Sequence, residues 1–212
     1  MQLKQFVNNP YSENTYILSD ETGECVIIDP GMYDAKEQNQ LVSYIKDNNL
    51  KPVLLLNTHC HIDHVLGNKF IYDQFGLKPR FHKGELPLLQ AVPSYAPQQG
   101  FHYELSPEPE VFLEENGKIN FGNSQLDIIF APGHSPAHVC FYNKEANMLI
   151  GGDVLFYGSI GRTDLPGGNF ETLINSIKNN LFVLPDQTEV FPGHGPSTTI
   201  EHEKRYNPFL KS

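Results

Sequence analysis

Hydrophobic and polar positions divide this chain into short strands, a few helices and one poorly patterned middle. Thr15-Tyr16-Ile17-Leu18 and Cys25-Val26-Ile27-Ile28 read as two strands joined by Asp20-Glu21-Thr22-Gly23, a hairpin turn whose glycine tolerates positive φ. Asp29-Pro30-Gly31 stops the second strand. Between Ala35 and Asn48 the apolar residues Leu41, Val42 and Ile45 fall on one helical face, and Lys51-Pro52 opens a new strand. The near-continuous apolar run Pro52-Val53-Leu54-Leu55-Leu56 predicts burial on both faces, followed by a covering helix from Val65 to Phe75. Residues 87–109 are rich in Pro, Gln and Tyr; beyond a short helix near Leu86 to Ala91 they read as an active-site rim. Strands at Lys118 to Phe121, Gln125 to Phe130, Val139 to Tyr142 and Met148 to Ile150 form a meander. A last helix from Phe170 to Phe182 precedes a strand at Glu189 to Phe191.

The pattern matters because of what stands at the strand ends. Straight after the run 52–57 comes Thr58-His59-Cys60-His61-Ile62-Asp63-His64, with four metal-ligand side chains in six residues. His59 and His61 are two apart, so on an extended segment their rings leave the same side and Cys60 points away, which makes Cys60 a packing residue. Imidazole and carboxylate donors suit zinc, iron or manganese, and four are too many for one open catalytic site, which points to a second metal. The competing reading takes Asp63 as a helix N-cap and each histidine as a core or surface residue. An echo downstream weighs against it: Ala131-Pro132-Gly133-His134 and Phe191-Pro192-Gly193-His194 each end a strand in Pro-Gly and then place a histidine. Asp153, in Gly151-Gly152-Asp153, is a further candidate ligand.

Composition narrows the setting. With 212 residues, 39% apolar and 19% charged, the chain is an ordinary globular one, read as a single domain over 1–212 that folds as a monomer or simple homo-oligomer. A net charge of −10 repels phosphate backbones and argues against nucleic acid as a partner. No segment approaches the ~20 apolar residues of a membrane helix, and no secretory signal opens the chain. Three scattered cysteines do not form a disulfide framework, so the expected compartment is the cytoplasm.

The ordered set His59, His61, Asp63, His64, His134, Asp153, His194 resembles the metallo-β-lactamase fold hydrolases, and within them the glyoxalase II-like thioesterases, over Thr15 to Pro208. Ser159-Ile160-Gly161-Arg162-Thr163-Asp164, Pro192-Gly193-His194-Gly195-Pro196 and Tyr206-Asn207-Pro208-Phe209 resemble the short members of that subgroup. The resemblance implies an α/β fold, an αββα sandwich of two mixed sheets between outer helices, lacking the C-terminal helical region with which full-length glyoxalase II holds glutathione. It implies His59, His61 and His134 on one metal, Asp63, His64 and His194 on the other, and Asp153 bridging two divalent ions, zinc foremost and iron or manganese as alternatives. Two such ions lower the pKa of a shared water from ~15.7 towards about 7. The implied reaction is hydrolysis of a small-molecule 2-hydroxyacyl thioester, hydroxide attacking the carbonyl, with Asp63 and Asp153 as the catalytic residues and Asp63 orienting the hydroxide. Arg162 matches the position that meets a substrate carboxylate; the competing reading is a buried ion pair with Asp164 or another acid. His82, His102, His138 and His202 fall outside the pattern and read as structural or surface residues. The rival functions are a persulfide dioxygenase with a single iron on two histidines and an aspartate, and a noncatalytic metal-binding module.

Overall fold

A computed structural model describes residues 1–211. They group into two compact units, 1–112 with 120–124, and 113–119 with 125 onward.

In the first unit β1 (Gln2–Asn8), β2 (Glu13–Ser19), β3 (Glu24–Ile28), β4 (Lys51–Leu56) and β5 (Pro79–Arg80) form one sheet in chain order. The first three strands run antiparallel, and β3, β4 and β5 run parallel, so the sheet is mixed. The β2–β3 hairpin closes at the expected turn, with Gly23 at φ +81°. Helix α1 (Ala35–Asp47) starts where the Asp34 carboxylate accepts from Glu37 N at 2.9 Å, and it turns Leu41 and Ile45 onto Ile17, Ile27 and Leu55. Full burial of such aliphatic side chains contributes roughly 1.5–3 kcal/mol each. β4 departs from expectation: its first four residues are exposed or only part-buried, and Leu55 and Leu56 alone are fully covered. The short β5 shields only their end of it.

The single helix expected over 65–75 is two. α2 (Ile62–Val65) and α3 (Asn68–Phe75) are separated by Gly67, whose N–H donates to the Pro30 carbonyl at 2.7 Å. A side chain there would overlap the Met32 sulfur, so close approach of the Asp29-Pro30-Gly31 turn interrupts the helix. α4 (Leu86–Tyr95) outruns the expected Leu86 to Ala91, carrying Pro93 inside it, and continues into a 3₁₀ turn over 96–99. Its Leu89 and Val92 pack with Cys60, Val65 and Phe81, so this stretch has a core of its own.

The second sheet takes the order β13-β12-β9-β8-β7-β6. β6 (Lys118–Phe121), β7 (Ser124–Phe130), β8 (Val139–Asn143) and β9 (Met148–Gly152) are the expected meander. A small hairpin, β10 (Leu155–Phe156) with β11 (Ser159–Ile160), follows. α5 (Phe170–Ser176) continues through a π-helical turn over 177–181, and β12 (Glu189–Pro192) lies parallel to β9. β13 (Thr198–Thr199) and α6 (Ile200–Tyr206) close the unit, so the helix over 170–182 is not the last. Leu149, Leu173, Ile177, Val190 and Ile200 share one core. Among the described residues no helix is long and apolar enough to cross a membrane.

Candidate metal centre

In the first unit the ligand-rich segment hangs from the carboxyl end of β4, where residues 57–61 leave the strand before α2 begins. The His59 and His61 rings meet edge to face with centroids 4.8 Å apart, and His59 and His64 lie at 4.2 Å. Nε2 of His64 stands 3.7 Å from Oδ2 of Asp63. The start of α2 has no side-chain cap, so Asp63 is not an N-cap, and the competing reading of the motif fails there. Backbone hydrogen bonding fixes this aspartate instead: the Asn9 amide donates to the Asp63 and Gly31 carbonyls at 3.1 and 3.0 Å. A Cβ on Gly31 would overlap the Glu13 carboxylate, so that turn has room only for glycine.

Proton bookkeeping settles how two of these rings present themselves. Asp29 is buried, with φ +49°, and its carboxylate accepts from Thr58 N at 2.7 Å and from Thr58 Oγ1 at 2.6 Å. It lies 3.1 Å from His64 Nδ1, which therefore carries the proton. The Thr58 hydroxyl has one proton and gives it to Asp29, so at 3.0 Å from His59 Nδ1 it can only accept. Both rings carry hydrogen on Nδ1 and a lone pair on Nε2, the form a metal takes. Sequence reasoning treated Asp29 as turn chemistry and missed this role. A signal was available: β3 and β4 end level, with Ile28 opposite Leu56, so whatever follows β3 borders the ligand run. Ligand atoms of Asp29, His59 and His64 lie close enough to share an ion. Asp29 is already engaged by Thr58 and the ring N–H, so it serves as a support for the two rings.

Behind these rings Glu13 is wholly buried. Burial pushes its carboxyl well above the usual range, His64 opposes this, and Asp29 and Asp63 add to it. Cys60 is also buried, which raises its thiol far above its ordinary value, with Glu85 and Asp29 reinforcing the effect. It packs with Phe81 and Leu89 as expected of a structural cysteine.

In the second unit Asp153 follows β9, His134 follows β7 and His194 follows β12. Oδ2 of Asp153 is 3.5 Å from Nε2 of His134 and 3.5 Å from Nε2 of His194. Two donors about 2.1 Å from one tetrahedral ion sit ~3.4 Å apart, so the spacing suits a carboxylate oxygen flanked by ligands. His134 Nδ1 faces the Arg162 carbonyl at 2.8 Å; a carbonyl cannot donate, so this ring too keeps its lone pair on Nε2. The donor types and these spacings fit ligation of divalent metal. His138, read as structural, is buried, and its Nε2 accepts from Asp153 N at 3.0 Å. His82 caps the 3₁₀ turn over 83–85, accepting from Gly84 N, and His202 stacks on Tyr157. The Arg162 guanidinium forms a two-pronged pair with Asp164, 2.7 Å on each prong, and its side chain is 62% exposed.

The family model of the metallo-beta-lactamase superfamily matches residues 8–194. A Bacillus subtilis protein described as probable metallo-hydrolase YqgX is 37% identical over 99% of this chain and 98% of its own. The Haemophilus influenzae hydroxyacylglutathione hydrolase GloC is 35% identical over 95% of this chain and 94% of its own. Among solved structures, the BLEG-1 B3 metallo-beta-lactamase superposes with a TM-score of 0.91 at 34% identity, each chain covered completely. TTHA1623 in a di-iron-bound form superposes at 0.87 with 38% identity, covering 98% of this chain and 100% of that one. The mixed sheets and helices are those of this fold, and the chain belongs to the metallo-β-lactamase superfamily.

Proposed function

We propose that this protein hydrolyses 2-hydroxyacyl thioesters with two divalent metals held by His59, His61, Asp63, His64, His134, Asp153 and His194. The observation that carries the proposal is the Asp153 oxygen lying equally far, at 3.5 Å, from a ring nitrogen of His134 and one of His194. A carboxylate offers several lone pairs and serves two cations, whereas each imidazole serves one. Bound metals would polarise the thioester carbonyl and acidify water at the site. The protein's own part is to deliver the rings in the right tautomer, as Asp29, Thr58 and the Arg162 carbonyl do, and to hold the attacking water on Asp63. A mononuclear iron site on two histidines and an aspartate would leave His64, His194 and a second carboxylate without a task. The thioester class is supported by the similarity to the hydrolase GloC. β-Lactam hydrolysis is the second reading, favoured by the end-to-end match to BLEG-1.

Protein reconstituted with zinc, iron or manganese, then assayed on lactoyl-glutathione, hydroxyacyl thioesters of other thiols, a β-lactam and glutathione persulfide, separates these readings. The expected result is two metals per chain and thioester cleavage, with the metal of highest activity identifying the native pair. Protein carrying two metals that leaves every thioester intact would sink the proposal. β-Lactam turnover in its place would establish the second reading, and oxygen uptake with one iron the persulfide one.

Arg162 is proposed to bind a substrate carboxylate by exchanging it for Asp164. The guanidinium fork holds the Asp164 carboxyl down to about 2, so the pair is closed at neutral pH. A depressed carboxyl contributes its pairing above the unfolded pKa near ~3.9 and loses it as pH falls through about 2. Asp164→Asn should therefore lower KM for an anionic thioester with kcat little changed, by a factor constant between about pH 5 and 9. An unchanged KM would remove Arg162 from substrate binding.

A further inference from the structure

The hairpin β10–β11 has both of its ends in the metal centre. Asp153 precedes it, and Arg162, whose carbonyl fixes the His134 ring, follows it. The base is pinched: Gly161 N donates to Val154 O at 3.2 Å, and any Cβ on Gly161 would overlap the Asp153 carbonyl. Movement of the hairpin therefore reaches the Asp153 carboxylate and the His134 support together.

The tip of this hairpin, residues 157–159, is gripped by one side of α6. Glu203 is wholly buried; its carboxylate accepts from Gly158 N at 3.1 and 3.2 Å, from Thr198 Oγ1 at 2.5 Å and from Asn207 Nδ2 at 2.7 Å. Asn207, also wholly buried, donates to Ser159 O at 2.9 Å as well, which commits its amide group. His202 stacks on Tyr157, centroids 4.7 Å apart and planes 16° from parallel. Glu203 lies in the last turn of α6 and Asn207 is its C-cap, the two side chains joined by a hydrogen bond, so they present their polar ends to the tip side by side. Burying a carboxylate and an amide is costly unless every lone pair and proton is used. Leucines would fill the space, but only directed hydrogen bonds can hold Gly158, which has no side chain to pack.

We infer that Glu203 and Asn207 are positioning residues of the metal centre, acting through the β10–β11 hairpin on Asp153 and on the Arg162 carbonyl that orients His134. The inference rests on the two-metal reading above. It also assigns work to the motif Tyr206-Asn207-Pro208-Phe209, which lies outside the ligand set.

The test compares Asn207→Asp and Glu203→Gln with the parent protein. Each keeps its shape and reverses the hydrogen-bonding sense of one group. Metal affinity is read by chelator competition, the ligand field by the visible spectrum of the cobalt-substituted protein, and kcat and KM separately. The expected result is metal affinity lowered about 10-fold, the usual effect of losing a ligand's support, an altered cobalt spectrum, and a fall in kcat larger than any change in KM. A lowered melting temperature with parental affinity and cobalt spectrum would reduce the network to mere scaffolding and overturn the inference. If neither variant folds, Tyr157→Ala, which removes the stacked ring at the exposed tip, carries the same comparison. A parent protein that takes up no second metal would instead sink the functional reading, and this is seen before any variant is made.

Discussion

Asp153→Asn is expected to fold normally and to hydrolyse the best thioester at least ~10³-fold more slowly than the parent, a loss of about 4 kcal/mol of transition-state stabilisation. The side chain carries the effect. An amide keeps the size of the carboxylate but not its charge, and its nitrogen has no lone pair to offer, so it cannot sit between two cations. The fold should survive because His138 grips the backbone N–H of residue 153, which the substitution does not touch. Three measurements make the case: a melting curve close to the parent's, metal analysis reading near one ion per chain where the parent reads two, and kcat. Retention of two metals with activity within tenfold of the parent would remove Asp153 as the shared ligand.

How much of this could be read in advance depended on whether the signal lay in spacing or in folding. The candidate ligand histidines stood out because they crowd into six residues or repeat after Pro-Gly at strand ends, and strand ends are legible where neighbouring strands are apolar. The β2–β3 hairpin, α1 and the meander were legible for the same reason. β1 was not: Gln2–Asn8 is polar at most positions, with Phe6 its one buried apolar residue, and it reads as a strand only once β2 pairs along its whole length. α6 hid for a sharper reason. Its inward face carries Glu203, so a hydropathy pattern marks as solvent-facing a residue as fully buried as Ile200. Asp29 escaped because it lies 35 positions from the histidine it serves and reaches it only through the parallel pairing of β3 with β4.

Asp29 is accordingly where substitution should hurt most among residues outside the ligand set. Asp29→Ala removes the acceptor used by Thr58 N, Thr58 Oγ1 and His64 Nδ1, and leaving buried donors unsatisfied costs about 1–3 kcal/mol each. Its backbone, at φ +49°, adds ~1 kcal/mol of strain for alanine that asparagine largely escapes. The metal-free alanine variant should therefore be destabilised by several kcal/mol in chemical denaturation, enough to unfold it on warming. Asp29→Asn separates stability from metal binding. The asparagine keeps the left-handed turn and can accept from Thr58 N, but its amide then points N–H groups at Thr58 Oγ1 and His64 Nδ1. To accept from that amide His64 must move its proton to Nε2, the nitrogen proposed to bind metal. The expected outcome is a modest loss of stability with metal affinity down 10- to 100-fold, as for other lost histidine supports. Chelator competition on folded protein gives the number. Parental affinity in Asp29→Asn would mean that the ring is oriented without this carboxylate, and that the proton chain from His59 through Thr58 to Asp29 has no part in preparing the site.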